Sequence, residues 1–176
     1  MATHFESINV YCQDESRFGL FTRNGRALTA KGIKPVCLYQ HKFEYSYLFG
    51  AFSVINGSHF LLEFPFCNTD TFQLFLNEFS GQNPTELKLM VLDNGAFHKS
   101  TSLVIPPNII LIFLPPYSPE LNPAEKVWWV VKRELVNKTF KTLEQLQEQL
   151  TIILNEKINI DSTKKLCSYE YLVCLF

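Results

Sequence analysis

The spacing of apolar positions predicts strands in the first part of the chain. From Ile8 to Asp14, apolar and polar side chains alternate, which is typical of a strand with one buried face. The dipeptides Asn24-Gly25 and Asn56-Gly57 favour tight turns, and the first of them predicts a hairpin over Arg17–Leu28. Further strands are predicted over residues 36–39, 45–55, 59–64, 86–93 and 108–114.

Helical spacing appears later in the chain. Apolar residues recur at intervals of three and four in residues 69–79, where Asn68 or Thr69 can cap the helix, and again in residues 142–156. A short polar helix is predicted near His98. This order of strands and helices predicts a single α/β domain with a mixed sheet and helices on its faces.

A third helix follows a proline-rich turn. Asn122 suits the N-cap, Pro123 suits the first helical position, and Glu125 comes three residues after the cap. The helix dipole favours an ionised carboxylate in this first turn. A capping box, in which Glu125 only reaches back to the start of its own helix, is the structural alternative. Trp128 and Trp129 are interpreted as packing residues of this helix rather than as base-stacking residues.

Charge and cysteine usage narrow the class of protein. The 176 residues carry a net charge of −1, so the whole chain shows no general affinity for nucleic acid. Residues 16–43 are different, because they hold six basic side chains and no acidic one: Arg17, Arg23, Arg26, Lys31, Lys34 and Lys42. This segment is either a solvated hairpin or a surface for phosphates. The five cysteines show no metal-ligand spacing, which indicates reduced thiols in the cytoplasm and no zinc site. No apolar run is long enough to cross a membrane.

Three carboxylates stand at informative places. Asp14 and Asp93 end predicted strands, and Glu125 begins the helix that follows the next strand. If the two strands are neighbours, the three acids meet at one edge of the sheet. Clustered carboxylates suit Mg²⁺ or Mn²⁺, and two such ions can act on a phosphodiester. The alternatives are that Asp14 and Asp93 serve turns, and that Glu120 is the third ligand in place of Glu125.

Three blocks of sequence carry a resemblance to a known family. The blocks QDESRFG (13–19), LDNGAFHKS (92–100) and LPPYSPELNPAEKVWWVVKREL (114–135) resemble the DDE transposases of the IS630 family, within the Tc1/mariner group. The third block is the most specific, and the resemblance runs from about residue 9 to residue 150. It implies a ribonuclease-H-like α/β fold, with a mixed central sheet of about five strands flanked by helices.

The resemblance also implies roles for particular residues. Asp14, Asp93 and Glu125 match the catalytic residues that bind two Mg²⁺ or Mn²⁺ ions. Asn94 and His98 match family positions beside the second aspartate, where each is expected to give a supporting hydrogen bond or to contact the substrate. Asn122 is expected to be a supporting residue. The residues expected to contact DNA are Arg17, Arg23, Arg26, Lys31, Lys34 and His98.

The implied activity is cut-and-paste transposition. Water cuts the transposon end, and the freed 3′-hydroxyl then attacks target DNA, with TA as the expected target. Residues 1–160 are expected to form the catalytic domain, and residues 161–176 form a tail of uncertain role. Only 13 residues precede Asp14, so no helix-turn-helix domain is expected in this chain, and a separate helix-turn-helix polypeptide is a candidate partner.

The expected setting is a homodimer on transposon ends and target DNA, in the cytoplasm with the nucleoid and away from membranes. Two other functions stay open at this point. One is another ribonuclease-H-like nuclease or integrase that only hydrolyses DNA. The other is an inactive or partner-dependent remnant of a transposase.

Overall fold

The computed structural model describes residues 4–173. Within these residues the chain forms five strands and five α-helices. The strands are β1 (Ser7–Gly19), β2 (Tyr45–Ser53), β3 (His59–Phe64), β4 (Glu86–Leu92) and β5 (Ile109–Phe113). The helices are α1 (Thr69–Gly81), α2 (Ala124–Glu134), α3 (Leu143–Lys157), α4 (Ile160–Cys167) and α5 (Glu170–Val173). Two short 3₁₀ turns cover Ala96–Lys99 and Pro119–Leu121.

The strands form one mixed sheet in the order β3-β2-β1-β4-β5. The first three strands along the chain pair in antiparallel fashion, whereas β4 is parallel to both β1 and β5. β4 runs parallel to β1 because α1 carries the chain back to the end of the sheet at which β1 starts. The α/β class and the mixed five-stranded sheet predicted from the sequence are therefore confirmed.

One face of the sheet is covered by α1. Phe72, Phe75 and Phe79 of this helix are buried against Tyr11 of β1, and the rings of Tyr11 and Phe79 meet edge to face at 4.8 Å. The predicted cap is present, because Asn68 Oδ1 accepts from the backbone N–H of Thr71 at 2.9 Å. These phenylalanine side chains thus hold α1 against β1, the central strand of the sheet.

The other face is covered by α2, α3 and α4, with Trp128 at its centre. The Trp128 ring packs edge to face against Phe18 and Phe52, at 6.2 and 5.4 Å. Gly50 makes room for it, since a Cβ there would lie 2.9 Å from the indole. Packing is therefore confirmed for Trp128. The same prediction is wrong for Trp129, which points outward and is 60% exposed.

The described part of the C-terminal tail belongs to this second layer. Cys167 of α4 and Leu172 of α5 are buried in the same apolar cluster as Trp128. Residues 174–176, which include Cys174 and the end of the predicted tail, lie outside the described residues. Between residues 4 and 173, no helix has both the length and the apolar character that a bilayer crossing requires.

The hairpin predicted over Arg17–Leu28 and the strand predicted over residues 36–39 are wrong. β1 continues to Gly19, and residues 23–43 form a long excursion without regular secondary structure, here called the exposed arm. Its base is held where Leu20 N–H donates to Glu44 O at 2.9 Å. Gly25 makes no turn. Its N–H donates to Asn137 Oδ1 at 3.0 Å, and a Cβ at this position would collide with Val136. A close tertiary approach therefore explains this glycine.

Candidate active site

The register of the two central strands brings two of the carboxylates together. Cys12 of β1 pairs with Val91 of parallel β4, so Asp14 and Asp93, each two residues later, stand at the same level of the sheet. Cys12 and Val91 are both buried on the α2 face. Because side chains alternate along a strand, Asp14 and Asp93 continue that same face toward the start of α2.

The start of α2 is tied to β1 by Asn122. The Asn122 side chain is 3% exposed; its Nδ2 donates to Gln13 O at 2.9 Å, and its Oδ1 accepts from Ala124 N–H at 3.2 Å. The helix itself begins at Ala124, one residue later than predicted, with Pro123 at the N-cap position. The hydrogen bond to β1 sets the first turn of α2, which contains Glu125, beside Asp14.

The capping box is not formed at this helix. The backbone N–H of Asn122 donates to Pro119 O at 2.9 Å, so the Glu125 carboxylate is not its acceptor. Glu125 is exposed at the helix start. Its carboxylate is therefore not used to complete the helix, which leaves it for another role.

Asp14, Asp93 and Glu125 line one cleft of about 420 Å³. The opposite wall is the proline-rich loop, residues 114–119, in which Tyr117 is fully exposed with φ 57°, a left-handed conformation that is uncommon outside glycine. Glu120 is exposed and is not among the residues that line the cleft. The geometry therefore favours Glu125 over Glu120 as the third acid.

His98 joins two carboxylates behind the cleft. Its Nδ1 lies 2.9 Å from Asp93 Oδ1, and its Nε2 lies 2.9 Å from Glu15 Oε1. The imidazole is buried, and the backbone N–H of Gly95 also donates to Asp93 Oδ1, at 2.8 Å. With both ring nitrogens facing carboxylates, His98 fits a supporting hydrogen bond better than contact with a substrate.

Burial and charge shift the acid–base properties of this cluster. Burial alone lowers the pKa of His98, but the hydrogen bonds and charges of Asp93 and Glu15 outweigh it and raise the pKa to about 9. The hydrogen bond from His98 in turn lowers the pKa of Asp93. Burial raises the pKa of Asp14, and the negative charges of Glu15, Glu125 and Asp93 raise it further. Asp14 thus sits in an excess of negative charge.

The donor set suits a hard divalent cation. In the described part of the chain, no group of three or more His, Cys, Asp or Glu side chains is arranged to hold a metal ion. The cleft nevertheless offers carboxylate oxygens from three elements, and both hydrogen bonds to Asp93 use Oδ1, which leaves Oδ2 for a ligand. A cation among these acids would relieve the repulsion that raises the pKa of Asp14.

Asn94 fixes the loop that closes the cleft. Its Nδ2 donates to the backbone oxygen of Leu114, and the ammonium of Lys99 donates to its Oδ1. The bond to Leu114 links the end of β4 to the end of β5, from which the proline-rich loop departs, and the bond from Lys99 ties Asn94 to the 3₁₀ turn that follows it. Asn94 therefore anchors the start of the proline-rich loop.

The basic residues lie beyond the cleft. Arg17 follows Asp14 on β1 and stands over the Tyr45 ring at 5.1 Å, whereas Arg23, Arg26, Lys31 and Lys34 belong to the exposed arm. Lys132 was missed in the sequence. It stands beside the Phe18 ring, and burial and then Arg23 lower its pKa while Glu125 and Asp14 raise it. Lys132 follows Glu125 by seven residues, which is two helical turns, so the sequence could have placed both side chains on the same side of the helix.

Comparisons with known proteins give a family match and a relative of similar sequence. Residues 9–147 match the model of the DDE superfamily endonuclease family. An uncharacterized protein of Sinorhizobium fredii, y4pE/y4sA, is 36% identical over 104 residues, which cover 58% of this chain and 77% of that protein.

Two solved complexes of the Mos1 transposase share the fold. The Mos1 mariner paired-end complex with Mn superposes with a TM-score of 0.70 at 14% identity, over 90% of this chain and 51% of that one. The Mos1 strand transfer complex gives 0.67 at 14% identity, over 90% and 50%. The chain thus spans about half the length of these transposases, and the ribonuclease-H-like fold is confirmed. With most of its length matched by the family model, the chain belongs to the DDE superfamily endonucleases.

Proposed function

We propose that this chain is the catalytic domain of a DDE transposase, which cuts DNA at transposon ends and joins the freed 3′-hydroxyl to target DNA. The observation that carries the proposal is the meeting of Asp14, Asp93 and Glu125 on one cleft. Membership in the endonuclease family supports DNA as the substrate. The Mos1 complexes that share the fold are paired-end and strand transfer complexes, which favours strand transfer in addition to cleavage.

The three carboxylates would hold two Mg²⁺ or Mn²⁺ ions. Mos1 paired-end complexes have been solved with Mn and with Mg, and the all-oxygen donor set of the cleft suits either ion. When bound, such ions activate the attacking oxygen and stabilise the negative charge at the phosphodiester.

The surrounding residues orient the acids. His98, protonated between Asp93 and Glu15, holds the Asp93 carboxylate in place and offsets one negative charge. Asn122 holds the first turn of α2 against β1 and so sets the position of Glu125. Asn94 anchors the loop that forms the far wall. All three act as positioning residues.

The basic residues would hold the DNA backbone. Arg17 lies on β1, and Arg23, Arg26, Lys31 and Lys34 lie on the exposed arm. Lys132 of α2 is near enough to Arg23, Glu125 and Asp14 for their charges to shift its pKa. Contacts of this kind position DNA without reading its sequence. A helix-turn-helix polypeptide would recognise the transposon ends. The catalytic chain would act as a homodimer and insert the transposon at TA. Because the substrate is DNA, this activity would occur at the nucleoid.

Metal-dependent nicking of supercoiled plasmid tests the proposal. We expect the chain to nick DNA with Mn²⁺ or Mg²⁺ and not with EDTA. The variant Asp93→Asn should lose at least about 100-fold in rate, the scale for removing one charge-stabilising group. Asp161→Asn, which changes an acid in the first turn of α4, is the matched control and should keep full activity. Nicking by Asp93→Asn at the wild-type rate would contradict the proposal.

A pre-cut DNA end separates transposition from simple hydrolysis. The proposed transposase joins a 3′-hydroxyl end to a second DNA molecule, whereas a nuclease of the same fold only degrades it. If full-length joined products are absent while cleavage persists, even with a helix-turn-helix polypeptide added, the hydrolytic function replaces the proposed one.

A further inference from the structure

We propose that a second groove, next to the cleft, binds unpaired nucleotides of the DNA substrate. This aromatic groove has a volume of about 760 Å³ and is lined by rings of Phe21, Tyr39, Phe43 and Tyr45. The inference rests on the proposed function, since it names the form of DNA that this chain would engage beside its acids.

The rings of the groove pack against one another and against His41, on which Tyr39 stacks at 6.2 Å, and they remain partly exposed. Phe21 lies 5.6 Å from Tyr39 and 6.0 Å from Phe43, measured between ring centroids. Tyr39 is 56% exposed and Phe43 is 71% exposed. A cluster of large aromatic side chains left open on the surface marks a binding site more often than it marks packing.

Positive charge surrounds these rings. Arg17, Arg23 and Lys42 line the groove, and no acidic residue occurs anywhere in residues 16–43. Glu44 follows, but its carboxylate is paired with Lys42 at 2.7 Å. An apolar protein partner would leave the two guanidinium groups uncompensated. Phosphates match them, so charge complementarity favours nucleic acid.

The combination of rings and cations selects unpaired bases over duplex. Aromatic side chains in a basic groove hold single strands by stacking on the faces of bases. In a duplex those faces are already covered by neighbouring bases, so the duplex offers this groove only phosphates. The groove therefore takes a single-stranded tail or a strand frayed from its complement.

Strand β1 connects the cleft to the groove. Phe18, which lines the groove, leaves β1 on the same face as Asp14 and lies about 13 Å beyond it at ~3.3 Å per residue. Lys132 of α2 stands beside this Phe18 ring. A strand cut at the acids can thus reach the rings within a few nucleotides.

The test measures DNA binding in EDTA, where no cleavage occurs. Fluorescence anisotropy compares a blunt duplex, the same duplex with a single-stranded 3′ extension, and the extension alone. We expect the extension to tighten binding, and Tyr39→Leu and Phe43→Leu each to weaken the extended duplex by roughly 5-fold or more. Phe66→Leu, which changes a ring of similar exposure outside the groove, is the matched control and should bind as the wild type does.

A crosslinking arm does not depend on any variant. A halogenated base in the extension should crosslink under ultraviolet light to peptides that contain Tyr39 or Phe43. Equal binding of blunt and extended duplex, with no effect of either ring variant, would overturn the proposal. It would also fail if the ring variants changed only self-association in sedimentation, because the groove would then seat a second copy of the chain.

Plasmid nicking keeps the two proposals apart. If nicking depends on Asp93 but the extension adds nothing, the proposed function stands and the groove assignment fails. If the extension binds through the rings while the chain never nicks DNA, the groove assignment stands and the proposed function fails.

Discussion

The cleft and the exposed arm are built in opposite ways. The cleft is held by buried polar side chains with assigned partners, such as Asn122 on β1 and His98 between Asp93 and Glu15. The arm contains no regular secondary structure, and its Leu28 and Val36 are almost completely exposed. The chain therefore organises its carboxylates with buried contacts, whereas Leu28 and Val36 of the arm pack against almost nothing. Changes at the cleft should cost folding free energy, and changes at these exposed residues of the arm should not.

The largest loss of stability is expected at Trp128, which packs between the sheet and the helices that cover the face on which the acids lie. Trp128→Ala empties the centre of the α2 layer, so the free energy of unfolding should fall by about 3–5 kcal/mol. Trp129→Ala removes an exposed ring on the same helix and should change it by less than about 0.5 kcal/mol. Urea denaturation measures both, and equal losses would contradict the assigned packing.

A pH-dependent effect is expected from His98. Its pKa is raised from 6.5 to about 9 in the folded chain, so the folded state holds the extra proton between these values. The stabilisation is complete below pH 6.5 and should be lost as pH rises toward 9, by on the order of 3 kcal/mol. Denaturation in EDTA at several pH values measures this slope. His98→Asn should flatten this slope, and an unchanged slope in that variant would contradict the position of His98 between Asp93 and Glu15.

A smaller loss is expected at Asn122. Asn122→Ala leaves the carbonyl of Gln13 without its buried donor, which should lower the free energy of unfolding by about 1–3 kcal/mol and reduce nicking. Asn122→Asp keeps the acceptor for Ala124 but loses the donor to β1. If nicking by the Asp variant equals that of the wild type, the tie to β1 does not position Glu125.

The smallest effect is expected in the exposed arm. Leu28→Ser and Val36→Ser remove apolar side chains that touch little, so each should change the free energy of unfolding by less than about 0.5 kcal/mol. Leu150→Ser, at a buried position, provides the contrast. A large loss from either arm variant would show that the substituted side chain packs on the domain.

The sequence was informative where one local pattern decides the outcome. Alternation placed Asp93 at the end of an apolar strand, and the proline-rich turn placed Glu125 at a helix start. The predicted strand end at Asp14 was wrong, because β1 continues to Gly19 through its pairing with β2; only its pairing with β4 stops before Asp14. The prediction from sequence was wrong where a contact between distant residues determines the local structure. Asn24-Gly25 has the composition of a hairpin turn, yet Gly25 is needed for its approach to Val136.

Other features needed the folded chain. His98 and Glu15 are 83 positions apart, and no spacing rule predicts that they meet. Trp128 and Trp129 are identical in type and adjacent, and only the orientation of α2 makes one buried and the other exposed.

Binding of Mn²⁺ to the free chain, followed by electron paramagnetic resonance, tests most directly whether the three acids act as one site. Asp14→Asn, Asp93→Asn and Glu125→Gln should each weaken binding by at least about 10-fold, because each removes a ligand. Glu120→Gln should bind Mn²⁺ as the wild type does, since Glu120 lies outside the cleft. Unchanged Mn²⁺ affinity in the three cleft variants, or an equal loss in Glu120→Gln, would contradict the account.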